Sequence, residues 1–347
     1  MRFLKRRFLL VAALTAAILS SFFVKPSMQQ LFEAVDFRVL GLLFALMAVI
    51  QGFRSASVID FAAVALLRRC RRLLPLYGAF TALVFLFSTV LTNDVALLTF
   101  VPLTLTVCRR LEIDPLRIVI IETIAANLGS SLTPPGNPQN LFLYAFYHLH
   151  PLDFFQTMFP PAIFSVGLLA AAVALAAGRD SQKGISLDFL PPAPPIDFKE
   201  AAISSAALCS ALAAVFGLID WPWAVLTSAL GAAACGGALK KVDYSLLAVF
   251  AAFFVFSKNL SLLPFMSADL PGLFSSSEKV YFSAIAVSQI ISNVPAALLL
   301  APFTDLWRPI ALGVNIGGLG TLIASLASVI SYQLYVSENN GGALRYL

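Results

Sequence analysis

TNDVALLTFVPLT, residues Thr92 to Thr104, and SNVPAALLLAPFT, residues Ser292 to Thr304, are one pattern written twice. Shifted by 200 positions, Asn93, Ala96, Leu98, Pro102 and Thr104 match Asn293, Ala296, Leu298, Pro302 and Thr304. In each copy a polar triplet interrupts a long apolar run and is followed by an apolar arm containing a proline. Two distant copies of so particular a break predict an internally repeated chain.

Composition sets the class. Hydrophobic residues make up 59% and charged residues 12%, against roughly 45–50% and about 25% in soluble domains, and the mean hydropathy is +0.88. Apolar runs recur close to the ~20 residues that a helix needs to cross the hydrocarbon core, whereas a transmembrane β-barrel would show short alternating segments. The expected fold is therefore an all-α polytopic membrane protein, with the lipid bilayer as its surroundings. The net charge of +5 comes from small basic clusters between apolar runs, which is a topology signal and not a nucleic-acid footprint. Cys70, Cys108, Cys209 and Cys235 have neither disulfide-framework nor zinc spacing. His148 and His150 end an apolar run, where an interfacial loop is a better reading than metal ligation.

Arg2, Lys5, Arg6 and Arg7 precede the run Phe8 to Phe23, either a signal peptide or a first span. The absence of a small-x-small cleavage site favours the span, with a cytoplasmic N-terminus. A second span, Phe37 to Phe53, leads through an interfacial helix, Ser55 to Leu67, to the basic cluster Arg68, Arg69, Arg71 and Arg72. From Leu73 to Cys108 the chain is apolar except at Thr92-Asn93-Asp94, and both ends are basic. The second arm, Val95 to Cys108, is short of a full crossing, which predicts a re-entrant hairpin. Asp114-Pro115 then opens a helix expected to run to about Asn127, break at LGSSLTPPGNP (Leu128 to Pro138) and resume through Asn140 to Tyr147. Unwound backbone at membrane depth persists only where it lines a cavity or binds something. The next expected span is Ala162 to Ala177, followed by Arg179, Lys183 and the proline-rich loop Pro191 to Pro195.

The remaining chain repeats these features. Ala201 to Leu218 and Trp223 to Leu239 are expected spans, with Trp221 and Trp223 as interfacial anchors and Lys240 and Lys241 inside. Val242-Asp243-Tyr244 echoes Val35-Asp36-Phe37, and Ser245 begins another span. Val280 to Phe303 forms a second hairpin. Asn315, Gly317 and Thr321 in NIGGLGT are in register with Asn127, Gly129 and Thr133 in NLGSSLT, inside a second broken helix that starts at Arg308-Pro309. The expected organisation is a first repeat over 1–178 (hairpin about 73–108, broken helix about 115–147), a cytoplasmic linker over 179–200, an inversion helix over 201–221, and a second, inverted repeat over 222–347 (hairpin about 280–303, broken helix about 309–336). A counterpart to the span Ala162 to Ala177 is expected to be absent after Glu338.

Inverted repeats with broken helices are the pattern of a secondary transporter whose site lies near the bilayer midplane. Helix N-termini at that depth suit an anion, and carbonyl and side-chain oxygens suit a small hard cation. The residues expected to bind substrate and ion are Thr92, Asn93, Asp94, Asn127, Gly129, Thr133, Gly136, Asn137, Asn140, Ser292, Asn293, Asn315, Gly317, Gly318 and Thr321. Asp94 and Glu122 are the intramembrane carboxylates, each expected to be paired, protonated or ion-bound. Asp94 reads either as the proton-coupling group or as the cap of the second arm; Asn127 and Asn315 read either as site residues or as local caps. No catalytic aspartate pair, Ser/His pair or zinc-binding histidine motif points to an intramembrane enzyme.

LTNDVALL, NLGSSLTPPGNPQN, SQIISNVPAALLLAP and NIGGLGT, in that order over about residues 35–335, resemble the ion transporter superfamily of citrate carriers, divalent anion:sodium symporters and arsenite permeases. The pattern is most similar to bacterial inner-membrane anion permeases. The resemblance implies an elevator mechanism, often in a homodimer, for a small anionic substrate coupled to Na+ or H+, with no resident cofactor. In the symporters the tips read Ser-Asn-Thr; here Asp94 and Val294 stand at the third positions. The Asn-Asp tip is similar to the arsenite-permease branch and implies proton coupling.

Overall fold

The computed structural model describes residues 2–263, 274, 276–339 and 342–346, with side chains described from residue 10 onward except at 179 and 180. The basic side chains Arg2, Lys5, Arg6, Arg7 and Arg179, used above for topology, lie outside the described residues. The regular secondary structure of the described residues is helical, apart from one isolated β-bridge between Arg72 and Gly184. Its helices are α1 (Arg2–Val24), α2 (Met28–Ala34), α3 (Phe37–Ser55), α4 (Val58–Leu67), α5 (Leu73–Leu91), α6 (Asn93–Arg110), α7 (Leu116–Ser131), α8 (Pro138–Phe146) and α9 (Pro151–Ala177). They continue with α10 (Phe198–Val215), α11 (Trp221–Ala234), α12 (Tyr244–Ser261), α13 (Ser277–Ile291), α14 (Asn293–Leu300), α15 (Trp307–Gly317), α16 (Leu326–Glu338) and α17 (Ala343–Tyr346). Among the described residues, five helices (α3, α5, α9, α10 and α12) are long and apolar enough to cross a membrane. Large apolar side chains such as Phe164, Leu175 and Leu230 remain exposed on α9 and α11, as a lipid-facing surface requires.

The repeat is built from the same local contacts twice. Asp36 caps α3 by accepting from Val39 N at 2.9 Å, and Asp243 caps α12 by accepting from Leu246 N at 3.2 Å. Within each repeat the first arm of the hairpin packs on the first half of the broken helix, α5 on α7 and α13 on α15. Glycine permits the approach. A Cβ at Gly129 would lie 2.2 Å from Phe85 O and 2.4 Å from Ser88 Oγ; one at Gly317 would lie 2.7 Å from Ser288 Cβ and 3.2 Å from Ile285 Cα. Between repeats the second halves cross over: α8 packs on α14, and α16 on α6 and α7. Each broken helix therefore ends against the other repeat's hairpin. Beside this body, α3, α10 and α11 pack on one another, and α1 lies along α12, where Asn259 Nδ2 donates to Ser20 Oγ (3.0 Å) and Ser21 Oγ (2.8 Å).

Several expected boundaries move. The second arm of the first hairpin spans 18 residues, not the 14 from Val95 to Cys108, because the helix starts within the polar triplet and continues through Pro102 to Arg110. At 1.5 Å per residue it is about 27 Å long, so the short-arm argument for re-entry does not hold there. The corresponding arm of the second hairpin, from α14 through Phe303, is 11 residues. The first broken helix runs to Ser131, not to about Asn127, since Gly129 is a close-approach residue inside an unbroken turn. The span expected from Ala162 begins at Pro151 and holds Pro160 and Pro161 in its interior. Of the two expected anchors, Trp223 is exposed, but the Trp221 ring packs where a side chain at Gly41 would stand. Residues 183–197 run non-helically and tie back to the first repeat through Leu73 N→Lys183 O (3.3 Å), Ile185 N→Arg71 O (3.0 Å) and Asp197 N→Ala56 O (3.2 Å).

Gly129→Ala is expected to lower stability by about 1–3 kcal/mol through overpacking, whereas Gly78→Ala, where a Cβ meets nothing within 4 Å, should be neutral or stabilising by about 0.5–1 kcal/mol. Thermal unfolding of both variants in one detergent checks this, and equal melting temperatures would contradict the close-approach role.

Candidate functional site

Both triplets form the tips of helical hairpins, and both hold the same strained backbone. Thr92 has φ 72°, ψ 149° and Ser292 has φ 80°, ψ 154°, a region that is essentially glycine's and costs about 1–3 kcal/mol for other residues. The turn lets a second helix start at the next residue, so Asn93 and Asn293 each open a helix, buried at 4% and 3% exposure. Asp94 is not the cap of its arm. It sits in the first turn, where its carboxylate suits the helix N-terminus, and its N–H donates to Asn93 Oδ1 at 3.0 Å.

The buried asparagines form two linked groups. Asn93 Nδ2 donates to Asn127 Oδ1 (2.9 Å), which also accepts from Ser325 Oγ (3.0 Å) across the repeats. Asn137 Nδ2 donates to Asn315 Oδ1 (3.0 Å), and Asn315 Nδ2 returns a bond to Asn140 Oδ1 (2.7 Å). Asn127 and Asn315 are not caps: each lies inside its helix and bonds back to the carbonyl four residues earlier, Thr123 O (3.1 Å) and Ala311 O (2.7 Å). Asn140 Nδ2 contacts three carbonyls at the first break, Ser130 O (3.4 Å), Ser131 O (3.0 Å) and Thr133 O (3.3 Å). At the second break Gln289 does the equivalent, donating to Gly317 O (2.7 Å) and accepting from Thr321 N (2.8 Å). The two motif threonines tie each break to its hairpin: Thr133 Oγ1 donates to Thr89 O, and Thr321 Oγ1 donates to Gln289 O at 3.4 Å. Gly136 and Gly318 are again close approaches, to Ser130 O and to the Asn293 side chain.

Four helices begin around one cavity. A space of about 30 Å³ is lined by Asn93 and Asp94 of α6, Pro138 and Gln139 of α8, Asn293, Val294 and Pro295 of α14, and Ser325 and Leu326, which open α16. Ser292 and three apolar residues of α12 complete it. Helix N-termini carry partial positive charge and unsatisfied N–H groups. A larger cavity of about 320 Å³ shares Asp94, Pro138 and Leu246 with the first, and adds Thr92, Pro135, Gln51, Arg54, Lys241 and Asp243.

Of the expected residues, Asn93, Asp94, Ser292 and Asn293 line the small cavity and Thr92 lines the larger. Asn127, Asn137, Asn140 and Asn315 stand immediately behind them, while Gly129, Thr133, Gly136, Gly317, Gly318 and Thr321 shape the breaks; Thr321 is exposed. Glu122 is fully buried away from both cavities; Thr104 Oγ1 donates to its Oε1 at 2.6 Å, and its Oε2 has no partner among the described residues. Sequence reasoning missed Gln139, Ser325, Gln289 and Arg54. Ser325 was findable: the 188-residue offset that pairs Asn127 with Asn315 pairs Asn137 with Ser325, and both cap the resumed helix, through Asn140 N (2.8 Å) and Ala327 N (3.2 Å). His148 and His150 stand in the loop between α8 and α9, and among the described residues no group of acids, histidines and cysteines is placed to hold a metal.

A family model described as citrate transporter matches residues 3–306. The uncharacterized transporter MJ0456 of Methanocaldococcus jannaschii is 34% identical over 92% of this chain and 86% of its own length. The inner membrane protein YbiR of Escherichia coli is 32% identical over 90% of this chain and 84% of its own. A putative transporter arsB of Dictyostelium discoideum is 23% identical over 45% of this chain and 28% of its own.

Removing either end of the Asn93–Asn127 bond leaves a buried amide short of a partner, so Asn93→Ala and Asn127→Ala should each cost about 1–3 kcal/mol. In a double-mutant cycle by chemical denaturation the pair should cost less than the sum, by about 1 kcal/mol; strict additivity would mean that the bond is not made.

Proposed function

The chain belongs to the citrate transporter family, and from that premise we propose that it is a secondary active transporter that moves a small anion by an elevator-type mechanism, coupled to H+ or Na+. The observation that carries this reading is the convergence of four helix N-termini, two from each repeat, on one cavity. Such ends favour an anion without a fixed counter-charge. In a bilayer the break and tip backbones are tolerable only around a cavity, which supports re-entrant hairpins reaching the site from opposite sides.

Asp94 is the coupling group in this reading. It is the carboxylate that lines both cavities, and at the start of α6 its charge state alters the field at the tip. Glu122, buried behind the site on α7 with one oxygen unpartnered, is the secondary candidate. The mobile part comprises the hairpins and broken helices, with α3, α10 and α11 as the scaffold. The protein is a multi-pass, homodimeric protein of the bacterial inner membrane with its N-terminus in the cytoplasm and no resident cofactor. A second reading, an arsenite-type efflux permease or uncoupled channel for a neutral oxyacid, is favoured by the Asn-Asp tip and the arsB relative.

In proteoliposomes, Asn93→Ala and Asn293→Ala should each lower anion uptake at least ten-fold while the protein, even where its melting temperature falls, still unfolds cooperatively and remains folded at the assay temperature; normal uptake in both would remove this site. Asp94→Asn should abolish uphill accumulation under an imposed proton gradient yet leave counterflow exchange intact. Uptake by the wild type that ignores both sodium and proton gradients would refute coupling.

A further inference from the structure

Arg54 occupies a position that neither repeat symmetry nor helix capping requires. It lies in the last turn of α3, outside the hairpins and breaks, and it lines the 320 Å³ cavity together with Lys241. Its Nη2 donates to Thr99 Oγ1 at 2.7 Å, and Thr99 Oγ1 in turn donates to Val95 O at 2.9 Å. Thr99 is five residues beyond Asp94 on α6, so the guanidinium is anchored about 7.5 Å along the helix from the tip carboxylate. A guanidinium has five N–H donors in a rigid fork. Among the described residues only the Thr99 contact uses one of them, and no carboxylate lies within ion-pair distance.

Asp60, in the first turn of α4, is a fixed negative charge that acts on this guanidinium, but it takes none of the fork's N–H donors, which stay half-buried beside apolar Leu43, Leu46 and Leu98 and suit an anion that visits the cavity. The opposing charges on the cavity wall are Asp94 and Asp243, and Asp243 Oδ1 is held at the N-terminus of α12. A cavity of this size is at the lower end of small-molecule sites. Its wall carries the cations Arg54 and Lys241 as well as the tip carboxylate.

We propose that Arg54 is the residue that reads the substrate: its fork takes a carboxylate or similarly planar two-oxygen group of a small organic anion, with Lys241 supplying a second positive charge, before the anion reaches the four helix N-termini. This deepens the reading of the chain as an anion transporter and rests on it. A fork contact discriminates geometry as well as charge, since bidentate arginine–carboxylate pairs are directional where lysine is a point charge. A neutral oxyacid would gain nothing from this residue.

The test compares wild type, Arg54→Gln, Arg54→Lys and Lys241→Gln in proteoliposomes, with citrate, succinate and arsenite as the probes and ligand-induced thermal shift as a second readout. Arg54→Gln should raise KM for the carboxylate that the wild type carries at least ten-fold, with kcat changed less than three-fold. Arg54→Lys, which keeps the charge but loses the fork, should fall between, and it carries the test if Arg54→Gln does not fold. Lys241→Gln should raise KM by a smaller factor. A wild-type KM in both Arg54 variants overturns the inference and leaves the transporter reading standing. A wild type that moves or binds arsenite but neither carboxylate overturns both.

Discussion

A helix that stops inside an apolar body leaves carbonyls and N–H groups that water cannot reach, and that single constraint organises this structure. Here each break is closed mainly by one amide side chain. Asn140 reaches back to the carbonyls of Ser130, Ser131 and Thr133; Gln289 takes Gly317 O and offers its own oxygen to Thr321 N. The two solutions differ in origin, since Asn140 belongs to its own broken helix whereas Gln289 comes from the neighbouring hairpin. What is preserved between the repeats is the satisfaction of the backbone, not the residue that provides it.

The tips answer the same constraint by a different route. Thr92 and Ser292 accept a backbone conformation that glycine would adopt without strain, and the return is that a new helix begins one residue later, its N–H groups facing the cavity. Such strain persists only where surrounding contacts over-determine it. They do so here: Asn93 is bonded to Asn127, and Asn293 N donates to Ala324 O at 2.9 Å. The interlock of α8 with α14 and of α16 with α6 then couples the two tips, so neither hairpin can shift without disturbing a break in the other repeat.

Much of this was legible in the sequence, because repeated motifs report on repeated geometry. The 200-residue offset found both tips and the 188-residue offset found both breaks, including Asn127, Asn315, Thr133 and Thr321. Contacts between segments with different offsets were not legible. Gln289 stands in register with Thr89, whose carbonyl does part of the same work, so residue identity was no guide. Helix ends were misplaced where glycine was read as a breaker; Gly129 is a site of helix–helix approach, and only the position of Phe85 O and Ser88 Oγ reveals it. Arg54 was visible only as one more basic residue at the end of a span, since its significance depends on Thr99, 45 residues away.

The repeats agree in mechanics and differ in chemistry. Backbone angles at the tips, the back-bonded asparagines and the glycine approaches are shared. Charge is not shared: the residue after the tip asparagine is Asp94 in one repeat and Val294 in the other. The cavities follow the same asymmetry, for the 30 Å³ space lies between both tips, while the 320 Å³ space adjoins only Thr92 and Asp94. In this conformation the larger cavity therefore lies beside the tip that carries the carboxylate, and the cations of Arg54 and Lys241 line that cavity alone. On the proposed reading, an anion and a coupling cation entering there would meet both signs of charge before reaching the dipole ends, which would put the step that distinguishes substrate from ion on this side of the protein.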